Sequence, residues 1–135
     1  MTRTRLYREM SVNTARPEEI ILLLYDSFLT NAHRAVVRQE AKDLQGVNVA
    51  IKRCQNILFE LISSLDKSAA TDLGNDLELA YRRISKSLLR AQASGDATRY
   101  RDAIEAMQSI RDGWKAALEQ LRKSDEDGDK TAANG

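Results

Sequence analysis

The sequence predicts an all-α protein: an antiparallel up-down four-helix bundle with a short N-terminal arm and a disordered C-terminal tail. Three observations predict it. Apolar residues recur at i, i+3, i+4 and i+7 in four successive segments. The 135 residues contain a single proline, Pro17, so nothing breaks those segments internally. The connections are short, which sets neighbouring helices antiparallel, and no segment alternates with period two for long enough to make a strand.

Residues 1–16 form the predicted arm. They carry four arginines against one glutamate, and their sizeable apolar groups are Leu6, Tyr7, Met10 and Val12. The first helix is expected at about 17–40. Pro17 suits a first helical turn, where its missing N–H has no partner to lose, and Glu18 and Glu19 complement the positive end of the helix dipole. Its stripe is Ile21, Leu24, Tyr25, Phe28, Ala32, Ala35 and Val36. The second helix, about 43–67, is expected to be capped by Asp43, with Val47, Ala50, Ile51, Cys54, Leu58, Leu61 and Leu65 on one face. The third, about 72–94, starts near Thr71 or Asp72 and runs through Leu73, Leu77, Tyr81, Ile84, Leu88 and Ala91. The stretch "ASGD" then supplies a stop and a new cap at Asp96. The fourth helix, about 96–122, shows Tyr100, Ala103, Ile104, Met107, Ile110, Trp114, Leu118 and Leu121. The polar, acidic end "KSDEDGDKTAANG", 123–135, is expected to be disordered. One domain of 17–122 thus lies between two tails.

Composition narrows the function. Twenty-one basic residues nearly cancel twenty acidic ones, which argues against a general nucleic-acid binder. A single cysteine, Cys54, admits no internal disulfide and points to no oxidising compartment. No secretory signal is visible, and no window approaches the roughly 20 apolar residues of a membrane-spanning helix. A soluble, cytoplasmic protein without membrane insertion is the expectation.

Catalytic and metal chemistry find no foothold. His33 is the only histidine, and a di-iron bundle needs Glu-x-x-His pairs, whereas Thr30 stands three residues before His33. Gly46, Gly74, Gly95 and Gly113 are isolated and make no phosphate loop. Cys54 lies on a core stripe and reads as a small buried hydrophobe. No enzyme activity and no cofactor are expected.

The apolar residues nevertheless exceed what one stripe per helix needs. In "EEIILLLYDSFL", Leu22 points roughly 160° from Leu24. Phe59 lies about 140° from Cys54, with Ile62 between them on one side, and Leu79 and Leu89 each lie about 140° from Ile84. A contiguous apolar set on a monomer calls for a partner. Periodicity leaves three explanations open: cover by the arm or wide helix contacts, self-association, or a groove for another protein's amphipathic segment.

Several stretches resemble the flagellar export chaperone family FliS. They are "TARPEEIILLLYDSFLTNAHRAV" for its first helix, "CQNILFELISSLD" for its second, and "NDLELAYRRISKSLLRAQASGDATRYRDAIEAMQSIRDGWKAA" for its third and fourth. "RLYREMSVNTARP" is similar to its tyrosine-bearing N-terminal lead. The ordered set spans residues 6 to about 118. Arg16 departs from the pattern, standing where the family usually has a serine N-cap.

The resemblance implies a cytoplasmic chaperone that binds the disordered C-terminal segment of flagellin, prevents premature polymerisation and supports delivery to the secretion apparatus. The alternative is a helical-bundle regulator or adaptor that sequesters another disordered flagellar protein. Export components or other flagellar regulators enter as further partners, and the chain itself is expected to be a monomer or weak homodimer. By position, Tyr7 is the arm residue expected to cover the client groove. Pro17, Tyr25, Asp26, Leu65, Asp66, Leu77, Asp96 and Trp114 are expected to be mainly structural. Helical geometry, not the family, puts the client contacts at the off-stripe residues Phe59, Ile62, Leu79 and Leu89, ahead of Leu22, and Tyr81, a core-stripe residue of the motif, joins them as a further candidate. Tyr25 and Tyr81 are expected to keep their rings inside while their hydroxyls reach the rim.

Overall fold

A computed structural model describes residues 16–65 and 72–134, with side chains described through residue 128. Its helices are α1 (Pro17–Glu40), α2 (Leu44–Ser63), α3 (Asp72–Ser94) and α4 (Arg101–Asn134), the last entered through a 3₁₀ turn at Ala97–Tyr100. Among the described residues there is no strand. Tyr7 and Asp66 lie outside the described residues.

The helices pack in ring order, each against the next, with α4 closing on α1. Specific bonds show that neighbours are antiparallel. Between α2 and α3, Gln92 reaches Asn48 and Gln55 reaches Ser85. Along α1, Tyr100 of the 3₁₀ turn reaches Gln39, and from α4 Arg111 reaches Asp26 and Trp114 reaches Glu18. The core holds Leu24, Tyr25, Phe28, Leu58, Leu61, Tyr81, Leu88, Tyr100 and Met107, all nearly inaccessible to solvent. Removing such large side chains from water is the main favourable term in folding.

Local chemistry explains most boundaries. The Asp43 carboxylate accepts from the Gly46 N–H at 3.0 Å and caps α2. A Cβ at Gly46 would lie 2.4 Å from Asp43 Oδ2 and 2.9 Å from Arg38 Cδ, so any larger residue would have to push the capping carboxylate and the arginine side chain aside. Asp96 accepts from the Thr98 N–H at 3.0 Å and opens the 3₁₀ turn. The preceding Gly95 has φ +68°, the left-handed conformation that ends a helix. Arg16 makes no side-chain cap on α1.

Several expectations need correction. α2 ends at Ser63, short of 67, where the Ser64 hydroxyl turns back to the Leu61 carbonyl at 2.7 Å. α4 does not stop at 122 but continues through Asn134, so the acidic tail is helical. Gly128 alone costs about 1 kcal/mol relative to alanine, and no proline follows, so a nucleated helix gains a bond per residue and propagates. Leu73 and Leu121, assigned to core stripes, are 65% and 57% exposed: Leu73 lies in the first turn of α3, and Leu121 lies on the exposed stretch of α4 that runs on past the core. Leu22 is partly buried against the core, and the exposed leucine of the opening run is Leu23.

Candidate functional site

The seam between α2 and α3 is bridged by polar side chains rather than filled by apolar ones. The Ser85 hydroxyl donates to Gln55 Oε1, and Gln55 Nε2 donates to the Ser85 carbonyl at 3.2 Å. A further bond joins Gln92 to Asn48 at 2.6 Å. Ser85 is too small to close the seam, and a groove of about 450 Å³ opens there. Phe59 and Ile62 line it on α2, Arg82 and Lys86 on α3, and Leu58 forms its base. Phe59 is 66% exposed, Ile62 is half-buried, and Leu58 is buried. Long cationic side chains can lay their methylene stems along such a groove with the charge outward, although Arg82 also meets Glu78 at 3.2 Å.

Phe59 and Ile62 therefore come together, as the spacing predicts: they follow Gln55 by four and seven residues on one face. Leu89 follows Ser85 by four, so it continues the same edge of α3 and is 52% exposed. Leu79 precedes Ser85 by six residues, about 120° round the helix; it is exposed but does not join the groove.

Tyr81 requires correction. It is 2% exposed, and its hydroxyl shares a 2.6 Å hydrogen bond with that of Tyr25 in the interior. Neither hydroxyl reaches the rim, because the two rings meet across the bundle at 6.3 Å between centroids. Trp114 packs edge-on against Tyr25 at 6.1 Å and donates its indole N–H to the Glu18 carbonyl at 2.8 Å. Together these aromatic groups tie α1 to α3 and α4. Asp26 anchors α1 to α4 as well, accepting from Arg111 Nε at 2.8 Å, and that bond holds the Arg111 guanidinium above its ordinary pKa. Leu65 and Leu77 pack partly buried against the core.

A second, smaller apolar cleft of about 280 Å³ lies where α1 begins, lined by Pro17, Ile20, Ile21, Ser64 and Trp114. Ser64 follows Ile62 by two residues, so this cleft and the α2–α3 groove share one end of the bundle. Sequence reasoning missed it, because it depends on where α2 stops.

Among the described residues, burial moves the thiol and the core phenols away from their ionised forms. Burial pushes the Cys54 thiol up to about 12, away from the reactive thiolate, and burial likewise raises Tyr25, Tyr81 and Tyr100. Among the described residues, no cluster of His, Cys, Asp and Glu has the arrangement of a metal site. His33 is exposed. Among the same residues, no helix is long and apolar enough to cross a membrane.

Comparison with known proteins places this geometry in context. The family model described as "Flagellar protein FliS" matches residues 1–121. The flagellar secretion chaperone FliS of Bacillus subtilis (strain 168) is 30% identical over 119 residues, covering 87% of this chain and 86% of the relative. That of Escherichia coli (strain K12) is 27% identical over 111 residues, covering 82% of each. A crystal structure of a bacterial flagellar chaperone superimposes with a TM-score of 0.72 at 19% identity, covering 87% of this chain and 97% of that one. The structural likeness speaks for the fold.

Proposed function

The chain belongs to the FliS family of flagellar secretion chaperones, and from that premise we propose that it binds the disordered C-terminal segment of flagellin along the α2–α3 groove. There it keeps the subunit from polymerising in the cytoplasm until the secretion apparatus takes it. The observation that carries the placement is Phe59, two-thirds exposed beside half-buried Ile62 over an open groove. Full burial of an aromatic or large aliphatic side chain is worth about 1.5–3 kcal/mol relative to exposure. A client helix laid across Phe59, Ile62 and Leu89 collects part of that at each contact and spends some of it on its own ordering. Binding is then specific yet reversible, and needs no nucleotide.

The arm extends the reading. Residues 1–15 lead into Pro17 beside the cleft of Ile20, Ile21 and Trp114, at the same end of the bundle as Ile62. The nine residues from Tyr7 to Arg16 span up to about 30 Å when extended, enough for Tyr7 to reach the groove, cover it in the unloaded protein and yield to the client.

Calorimetric titration with a flagellin C-terminal segment of about 50 residues, at several temperatures, tests the proposal. Saturable one-to-one binding with a large negative heat-capacity change is expected, since apolar surface on both partners leaves water. Absence of heat with several flagellins overturns the flagellin assignment and points to another disordered flagellar protein as client.

A further inference from the structure

A different cleft, of about 550 Å³, lies between the end of α1 and the beginning of α2, and its character is unlike that of the client groove. Arg34 and Arg38 stand one turn apart on α1, and Arg53 faces them from α2. Between them Val49 and Ala50 make an apolar base. The three arginines are exposed. Asp43 is the one carboxylate in the lining; it meets Arg38 at 3.6 Å and is already engaged as the cap of α2. Among the described residues, no carboxylate forms an ion pair with Arg34 or Arg53. Three guanidinium groups converge here on a surface whose overall charge is only +1.

The chain's own acidic stretch does not fill it. Asp125 meets Arg16, at the opposite end of α1, and the 18 residues from Arg16 to Arg34 span about 27 Å of helix. Nucleic acid is a poor fit: three cations flanking an apolar base, with no aromatic stacking surface, are too few to follow a phosphate backbone. Carboxylates held on a peptide fit better, because guanidinium groups pair with them in bidentate fashion and a neighbouring small apolar side chain can rest on Val49.

We propose that the α1–α2 cleft docks an acidic helical segment of a partner protein, with carboxylates one turn apart meeting Arg34 and Arg38, another meeting Arg53, and a small apolar residue between. Its position gives the cleft a separate job. Arg53 precedes Gln55 by two residues, so it lies about 160° round α2 from the side that faces the client groove. An occupied groove leaves the cleft open, and the acidic partner can recognise the loaded chaperone. The proposal rests on this cleft alone and does not require the client to be flagellin.

The test uses the full chain and a synthetic helical peptide of about 16 residues, with glutamate pairs at i, i+4 around a valine, followed by fluorescence anisotropy at low and moderate salt. Saturable binding that weakens with salt is expected. Replacing Arg34→Gln and Arg53→Gln together should cost at least about tenfold in affinity, with an unchanged helical circular-dichroism signal because both sites are exposed. A Phe59→Ser, Ile62→Ser variant should bind the peptide like the parent chain. No saturable binding, equal binding of a glutamine-for-glutamate peptide, or indifference to the arginine substitutions overturns the proposal. So does displacement of the peptide by inorganic phosphate or a uridine oligonucleotide at similar charge concentration, which would mark a general polyanion surface.

Discussion

At the scale of single residues, the pair Tyr25 and Tyr81 decides most. Their hydroxyls satisfy each other at 2.6 Å inside the core, so each is the partner the other cannot replace. Tyr25→Phe leaves the Tyr81 hydroxyl buried and alone, and should destabilise the bundle by about 1–3 kcal/mol in urea unfolding. Tyr25→Phe with Tyr81→Phe removes both polar atoms and should recover much of that loss, a coupling that a double-mutant cycle reads directly. The same burial fixes a pH response. Cys54, ordinarily at 9.0 and here pushed up to about 12, and the tyrosines, ordinarily at 10.0, hold their protons longer in the folded chain than in the unfolded one. Unfolding above those ordinary values therefore releases protons. This contribution to stability is complete below pH 9 and declines as pH rises through the raised values. Urea midpoints should fall steadily on the alkaline side, and in a Tyr7→Phe chain, which leaves Tyr25, Tyr81 and Tyr100, native tyrosine absorbance should change only as the chain unfolds. A midpoint flat to the alkaline limit would mean these groups stay solvated.

At the scale of elements, the turns separate what spacing reveals from what it hides. Helix existence, the caps at Asp43 and Asp96 and the stop at Gly95 were legible, because each rests on a local side-chain or backbone preference. The turn between α1 and α2 was less so. Lys42 there adopts φ 59°, the left-handed region that glycine occupies without strain, and no side-chain preference signals a lysine in that role. L-residues pay about 1–2 kcal/mol for that conformation, so Lys42→Gly should stabilise the protein by up to about 1 kcal/mol, after the larger entropy of the unfolded glycine is subtracted. Thermal unfolding should show a midpoint raised by a few degrees. A lowered midpoint would mean the lysine side chain makes a compensating contact. The end of α4 was hidden for the opposite reason: composition predicts disorder in an acidic stretch, but composition ignores that a long helix already runs into it.

At the scale of the whole molecule, the bundle was legible because four inward stripes allow few other arrangements, whereas the outward surface was legible only in part. Phe59 and Ile62 stand out as off-stripe residues, and both line the α2–α3 groove. Tyr81 fits a core stripe and a rim equally well by spacing, and only the meeting with Tyr25 across the bundle decides for the core. Leu79 is as far off stripe as Leu89, yet the side of α3 that borders α2 is set by the Gln55–Ser85 and Asn48–Gln92 bonds, which no single-helix period encodes. That difference makes a discriminating prediction for the proposed client site. Phe59→Ser with Ile62→Ser should leave urea stability within about 1–2 kcal/mol of the parent, since one side chain is mostly exposed and the other is only half-buried. The same variant should weaken client binding at least about tenfold, equivalent to 1.4 kcal/mol. Leu79→Ser should leave client affinity within a factor of about three, because small changes outside a contact stay near 0.5 kcal/mol. Titrations of the three chains against one client segment decide it. Equal losses in the two variants would spread the interface across the outer face of α3, and a loss at Leu79→Ser alone would move the client off the groove altogether.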